Sequence, residues 1–499
     1  MPEKPNVLII MADQLRADAL GCYGNEVCRT PNLDVLASGG VVMENCYTPN
    51  PICVPARASI TTGNYSHRAT GTKQNKGLIR DGQPKLAEHF ASNGYRTYAC
   101  GKLHYVPYSP PDEPRLTHGF EVWDSCESGR TIRQYDPSGS GRGIEDYHDY
   151  LADVGWGGYS RAHGVGNNDV RPCPSPLPPE HHVDRWVAER TIERLDEHRR
   201  DHGDQPFLMF CSFPKPHSPY DPPLSYAGMY DPREVPPPAG DESLLAEKNP
   251  ILHQIRTTHA QDSLSPAARQ VIKAYYYATI SHQDEQVGRV TRALEAAGDA
   301  ENTVVIYLAD HGDLMGDFGS YFKCNFLEGS ARVPMIVRAS GIPSGQRRSQ
   351  LVGLQDILPT LASLTGCELD AEVDGVDISA ALCDESARTR EVFYSQCHDD
   401  PHQAAMITDG QWKYCYAQWG GVEELYDLAE DPGELRNLAF TRSSAGRSRL
   451  ADWRDRLIAE AKRRGDTYLL DEGGDLVRSS LDRDALNSRP VGGMGWRWF

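Results

Sequence analysis

The stretch "NVLIIMADQ" at residues 6–14 decides the fold. Its apolar run shows no alternation, so both faces must be buried. That pattern marks a parallel strand with helices on either side. The run stops at Asp13 and Gln14, which leaves two polar side chains at a strand's carboxyl end. "FLMFCSF" (207–213) and "TVVIYLA" (303–309) read the same way, and "VPMIVRA" (333–339) is a fourth candidate. Helical patterns lie between them. In "VDRWVAERTIERLDEH", Val183, Val187, Ile192 and Leu195 fall near one face. A longer amphipathic stretch runs from Ser265, a plausible N-cap, to Gly298, a stop signal. Strands alternating with helices predict an α/β fold, with a large, mostly parallel mixed sheet flanked by helices on both faces.

A chain of 499 residues predicts one large domain and a smaller one. Residues 1–371 are assigned to the α/β domain and 372–499 to a C-terminal subdomain. There, "TDGQWKYCYAQWGGVEELYDL" reads as short antiparallel strands around "DGQ" and "GG" turns. Residues 105–179 are rich in Pro, Gly and Ser and show no clean periodicity. They are read as long surface loops, either a selectivity region or a floppy insertion. His398 and His402 are further candidates for selectivity. The tail "VGGMGWRWF" is read as a contact with a neighbouring subunit, making a homo-oligomer, or as a disordered end.

The formal net charge of -19 repels nucleic acid and anionic lipid at long range, so neither is expected as a partner. The mean hydropathy of -0.55 fits an ordinary soluble protein. The apolar run Val7–Met11 is too short for a signal peptide, and Glu3 spoils the basic flank, so a cytoplasmic location is expected unless a signal was removed. Thirteen cysteines without a C-x-x-C pair predict reduced, mostly buried thiols.

Asp310 and His311 follow the strand 303–309 directly, as Asp13 and Gln14 follow the first. In open α/β sheets, loops at the carboxyl ends of strands converge on one site. Two carboxylates, an amide and an imidazole there could hold a hard divalent cation, calcium or magnesium, with manganese also admitted by the histidine. The plainer reading of "ADHGD" is a polar turn bent at Gly312. Cations follow other strand ends: Lys102 and His104 in "GKLH", His217 in "KPHSPY", and Lys323 in "YFKCNF". In "PICVPAR" (51–57), Pro55 suits the first turn of a helix. Cys53 would then stand at the N-terminus, where free N–H groups favour an anion, with Arg57 one turn along.

The sequence resembles the type I sulfatases of the alkaline phosphatase superfamily. "CVPAR" matches the family's C-x-P-x-R motif and is followed by "ASITTG"; "GYRTYACGKLH" (94–104) matches a second signature. "NVLIIMADQLRADALGCYGN", "ADHGDLMGD" and "ELYDLAEDPGELRNLA" resemble the family in its usual order, so the likeness spans about residues 6–437. It implies that a maturation enzyme converts Cys53 to formylglycine. It also implies that Asp13, Gln14, Asp310, His311 and the modified Cys53 bind one divalent metal, calcium first. Arg57, Lys102, His104, His217 and Lys323 would surround the sulfate and the nucleophile, and Asn75 would touch substrate.

The implied reaction is hydrolysis of a sulfate ester of aryl, choline or carbohydrate type. A hydroxyl of the formylglycine hydrate attacks sulfur, a covalent sulfo-enzyme forms, and the hemiacetal then collapses to release sulfate. His217, jointly with Lys323, would protonate the leaving oxygen, and His104 would orient the hydrate or take its second proton. Many members carry Asp-Asp in place of Asp13-Gln14, and Asn in place of His311. The Gln/His pair also occurs in the phosphonate monoester and phosphodiester hydrolase branch, which tends to lose the Lys102/His104 pair. That branch is the alternative reading, and a non-catalytic anion-binding relative is a third.

Overall fold

The computed structural model describes residues 4–106, 108–135, 142–203, 205–482, 484 and 486. The tail 491–499 lies outside the described residues. Eight strands form the large sheet: β1 (Asn6–Asp13), β2 (Val41–Tyr47), β3 (Arg96–Gly101), β4 (Val122–Ser125), β5 (Phe207–Pro216), β6 (Thr303–Ala309), β7 (Met335–Arg338) and β8 (Gln346–Gly353). Their order is β4-β3-β5-β1-β6-β7-β2-β8. All neighbours pair in parallel except β7, which runs antiparallel to both β6 and β2. The sheet is therefore the mostly parallel mixed one that the sequence predicts.

Every residue of β1 is buried, because β5 and β6 flank it and helices cover both faces. Each fully buried Leu or Ile there contributes roughly 1.5–3 kcal/mol. The helices Val183–His202 and Pro266–Ala296 pack on each other and on β5. Ser265 caps the second as expected, its hydroxyl accepting from the amide of Ala268 at 3.2 Å.

The second sheet holds β9 (Phe393–Cys397), β10 (Ala404–Thr408), β11 (Trp412–Ala417) and β12 (Val422–Asp427) as an antiparallel meander. The helix Ser444–Arg464 lies against it, burying Leu450, Trp453, Leu457 and Ala461. Among the described residues no helix is long and apolar enough to cross a membrane.

Residues 105–179 run largely as the expected loops, interrupted by short regular elements that the sequence did not predict. They contain β4 and the helices Arg130–Tyr135 and Asp146–Asp153. Tyr147 and Leu151, four residues apart, bury one helical face in the main core. All thirteen cysteines are free, and most are buried.

Candidate active site

The sheet order explains why the sequence-predicted residues meet. β3, β5, β1 and β6 are consecutive neighbours in space. Their carboxyl ends deliver Lys102, His217, Asp13 and Asp310–His311 respectively to one edge. The helix Cys53–Thr62 starts at the same place, with Cys53 at its first position and Arg57 one turn along. A long loop after β6 returns Lys323.

Close backbone approach is built in at two glycines. A Cβ at Gly101 would collide with the Ser212 carbonyl oxygen, and one at Gly312 with that of Gly329. Gln14 and His104 take positive φ angles of 69° and 55°. This conformation costs about 1–3 kcal/mol and is held by bonds to the backbone amides. The amide of Gln14 donates to Asp310 Oδ1 at 3.1 Å. The amides of Leu103 and His104 donate to Glu127 Oε1 at 2.9 and 2.8 Å.

One donor atom each from Asp13, Cys53, Asp310 and His311 lies within 4.8 Å of all the others, and all four residues are buried. His311 Nδ1–H donates to the Gly312 carbonyl at 3.0 Å, which leaves the Nε2 lone pair facing the cluster. That Nε2 lies 3.0 Å from Cys53 Sγ. Asp13 Oδ1 is buried with no hydrogen-bond partner. An orphan carboxylate oxygen beside a free imidazole nitrogen and a second carboxylate fits a divalent cation. Gln14 stands at the rim of this group. Its Nε2 donates to Asp313 Oδ2 at 2.5 Å, and its Oε1 accepts from Lys323 Nζ.

The cations sort into two layers. Arg57 lies beneath the cluster. Its Nε donates to Asp310 Oδ2 at 2.7 Å, and its Nη1 to the Lys102 carbonyl at 2.7 Å and Ser212 Oγ at 3.2 Å. Lys102 Nζ donates to Asp13 Oδ2. Both side chains are buried. Burial pushes the Asp13 carboxyl up, but Lys102 and then Arg57 outweigh it and hold the group well below the usual carboxylate range. The upper layer, Lys323 and Arg130, lines a cavity of about 500 Å³ together with Cys53, Asn75, His104 and His217. Asn75 Oδ1 also accepts from the amide of Val54 at 3.0 Å.

Lys323 Nζ lies 3.0 Å from His217 Nε2. His217 Nδ1–H donates to the Ser218 carbonyl at 2.8 Å, so Nε2 accepts from the ammonium. Burial, and then the Lys323 charge, hold His217 well below the usual imidazole range. Lys323 moves the other way: burial pulls it down, and Cys53 and Asp13 more than restore it.

Three contributors went unread in the sequence. Asp313 fixes Gln14, Glu127 fixes the Lys102–His104 turn, and Arg130 reaches the cavity wall. Only Asp313 had a visible signal, its place in "ADHGD". Neither His398 nor His402 lines the cavity. His398 Nε2 bonds the Cys324 carbonyl at 3.0 Å, and His402 packs on Trp419 with ring centroids 4.6 Å apart.

Comparison with known proteins fits this geometry. The sulfatase family model matches residues 5–367, and the model for the C-terminal part of N-sulphoglucosamine sulphohydrolase matches 316–457. An arylsulfatase of Clostridium perfringens is 31% identical over 482 residues, covering 93% of this chain and 96% of its own. A choline-sulfatase of Rhizobium meliloti is 30% identical over 459 residues, covering 91% and 86%. Among solved structures, a phosphonate monoester hydrolase of Silicibacter pomeroyi shares the fold with a TM-score of 0.79 at 22% identity, covering 93% and 97%. The extent of the family match and the identity to the arylsulfatase place the chain in the sulfatase family, as a sulfuric ester hydrolase.

Proposed function

We propose that the chain hydrolyses sulfate monoesters through residue 53, converted from cysteine to formylglycine by a maturation enzyme, with one divalent cation, calcium first, held by Asp13, Asp310, His311, Gln14 and residue 53. The observation that carries the reading is Cys53 itself. It stands at a helix N-terminus in C-x-P-x-R, inside a buried donor cluster and at the floor of a cavity. When present, the cation and the modified side chain supply charge neutralisation and an activated hydroxyl.

The chain's own residues do the rest. Arg57 fixes Asp310, and Lys102 fixes Asp13, so both act as positioning residues beneath the site. Lys323 faces the cavity with its charge and offsets negative charge on the sulfuryl oxygens. It also holds the proton that the leaving oxygen needs, while His217 accepts a hydrogen bond from it and orients it. His104 Nδ1 is buried without a partner and adjoins the cavity, which suits it to hold a proton of the nucleophile.

Hydrolysis of phosphonate monoesters or phosphodiesters is the second reading, favoured by Gln14 and His311. Catalytic efficiency on matched aryl sulfate, phenylphosphonate and phosphodiester substrates separates the two. We expect the aryl sulfate to lead, and a lead for phenylphosphonate would overturn the sulfatase reading. Substrate classes named for relatives, aryl and choline sulfates, enter here as candidates, with carbohydrate sulfates beside them.

A further inference from the structure

Among the described residues, those lining the cavity above Cys53 include no aspartate or glutamate. The wall carries two guanidiniums, Arg130 and Arg133, on the helix Arg130–Tyr135, facing the same space as Lys323. Arg130 Nη1 donates to the Glu127 carbonyl at 3.1 Å. No carboxylate among the described residues lies within salt-bridge distance of either guanidinium. The chain as a whole is acidic, with 70 Asp+Glu against 51 Lys+Arg, so a wall whose described residues include two arginines and no acid is a local departure. The space, about 500 Å³, exceeds what a sulfate group fills and falls in the range of sites for small organic molecules. Gln134, Asn167 and Asn168 add amide donors and acceptors suited to hydroxyl groups.

We infer that the alcohol part of the substrate is itself an anionic sugar, bearing a carboxylate or a second sulfate that Arg130 and Arg133 receive. This rests on the sulfatase reading above. The planar fork of arginine matches both anions in two-point contact. A cationic alcohol is disfavoured by the same wall. Quaternary ammonium groups are held by aromatic faces, helped by carboxylates. Here the aromatic lining is Tyr108 and Phe322, with guanidiniums where carboxylates would be needed.

The test compares kcat/KM, read as released sulfate, for the full-length converted enzyme. The substrates are the positional isomers of monosulfated glucuronic acid, monosulfated glucose and disulfated glucosamine, with choline sulfate and 4-nitrophenyl sulfate. The best anionic sugar should exceed the best neutral one at least tenfold, about 1.4 kcal/mol. Choline sulfate should rank below both. In Arg130→Gln and Arg133→Gln, the anionic-to-neutral ratio should fall about tenfold in one or both, with unchanged melting temperature. A ratio read within one enzyme preparation cancels any loss of active protein. If glucose sulfate or choline sulfate matches the anionic sugars, or the ratio survives both substitutions, this inference is overturned while the sulfatase reading stands. If no sulfate ester turns over and phenylphosphonate does, the sulfatase reading falls and this inference with it.

Discussion

Lys323 Nζ and His217 Nε2 are 3.0 Å apart, and His217 is the acceptor. The sequence motif alone makes His217 the natural acid, since imidazole titrates near neutrality. The geometry moves that proton one atom along. A histidine whose Nδ1–H is held by the Ser218 carbonyl and whose Nε2 accepts from the neighbouring ammonium has no second proton to give, whereas the ammonium does.

Lys323→Ala should therefore steepen the dependence of kcat/KM on leaving-group pKa. Losses of about 10²–10⁴-fold are expected for alkyl sulfates and smaller ones for nitrophenyl sulfate, whose anion leaves unaided. His217→Ala should follow the same trend more weakly, because it misaligns the ammonium without removing it. A Brønsted series over aryl and alkyl sulfates measures both slopes. Steepening in His217→Ala alone would return the acid role to His217.

Arg57 binds Asp310 from below and does not line the cavity, so its removal should act on the cation before it acts on substrate. Arg57→Lys keeps the charge but cannot reproduce the Nε and Nη1 contacts to Asp310, Lys102 and Ser212. Divalent-metal affinity should drop by about 10–100-fold, as with other outer partners of metal ligands. Isothermal titration of chelator-treated protein with calcium reads this directly. At saturating metal, KM for an aryl sulfate should change little. A raised KM with intact metal affinity would put Arg57 on the sulfate instead.

How much of this was legible in the sequence follows from how local each signal is. β1, β5 and β6 were readable because burial on both faces makes an unbroken apolar run. β8 was not, because "QRRSQLVG" is exposed at its start and reads as polar. The helix Ser444–Arg464 was missed for a similar reason: its mean composition is strongly charged, and a narrow stripe carries its packing. Asp13, Cys53, Asp310 and His311 were readable as strand-end and helix-end residues. The two-layer division of the cations was not, since it depends on which side chain lies under the cluster, and spacing carries no such information.

The unconverted thiol offers a separate check. Burial pushes Cys53 up, but Lys323 and His311 more than reverse it and bring the group to about 6. Burial pushes Cys22 up to about 12. In metal-free protein made without the maturation enzyme, alkylation of Cys53 by iodoacetamide should rise through about pH 6 and level off by neutrality. Cys22 should stay unmodified over the same range, since only the thiolate reacts. Peptide mass spectrometry at stepped pH reads both. After co-expression with a maturation enzyme, the same peptide should lose the elements of hydrogen sulfide, gain one oxygen and no longer alkylate. A Cys53 profile rising only in the alkaline range would remove the electrostatic account of this site.

Lys413 on β11 lies 2.8 Å from Glu328 Oε1 and 2.5 Å from Glu434 Oε1. It also donates to the Phe326 carbonyl at 2.8 Å, which ties the small sheet to the loop that carries Lys323. One ammonium cannot neutralise two carboxylates. Burial pushes Glu434 up from 4.5 to about 7, with Lys413 opposing and Glu328 adding to the rise. A carboxyl raised on folding favours the folded chain fully below its unfolded value and loses that contribution as pH rises through the folded value. The wild type should thus lose stability from this group between pH 4.5 and 7, on the order of 3 kcal/mol at most. Glu434→Gln keeps the shape and cannot ionise, so its urea midpoint should fall less between about pH 5 and 8 than that of the wild type. Parallel pH profiles for the two proteins would show that Glu434 stays ionised throughout. Lys413→Met should destabilise by about 3–5 kcal/mol near and above neutrality, because it leaves buried carboxylates without a counter-charge, and the loss should shrink in acid as they protonate.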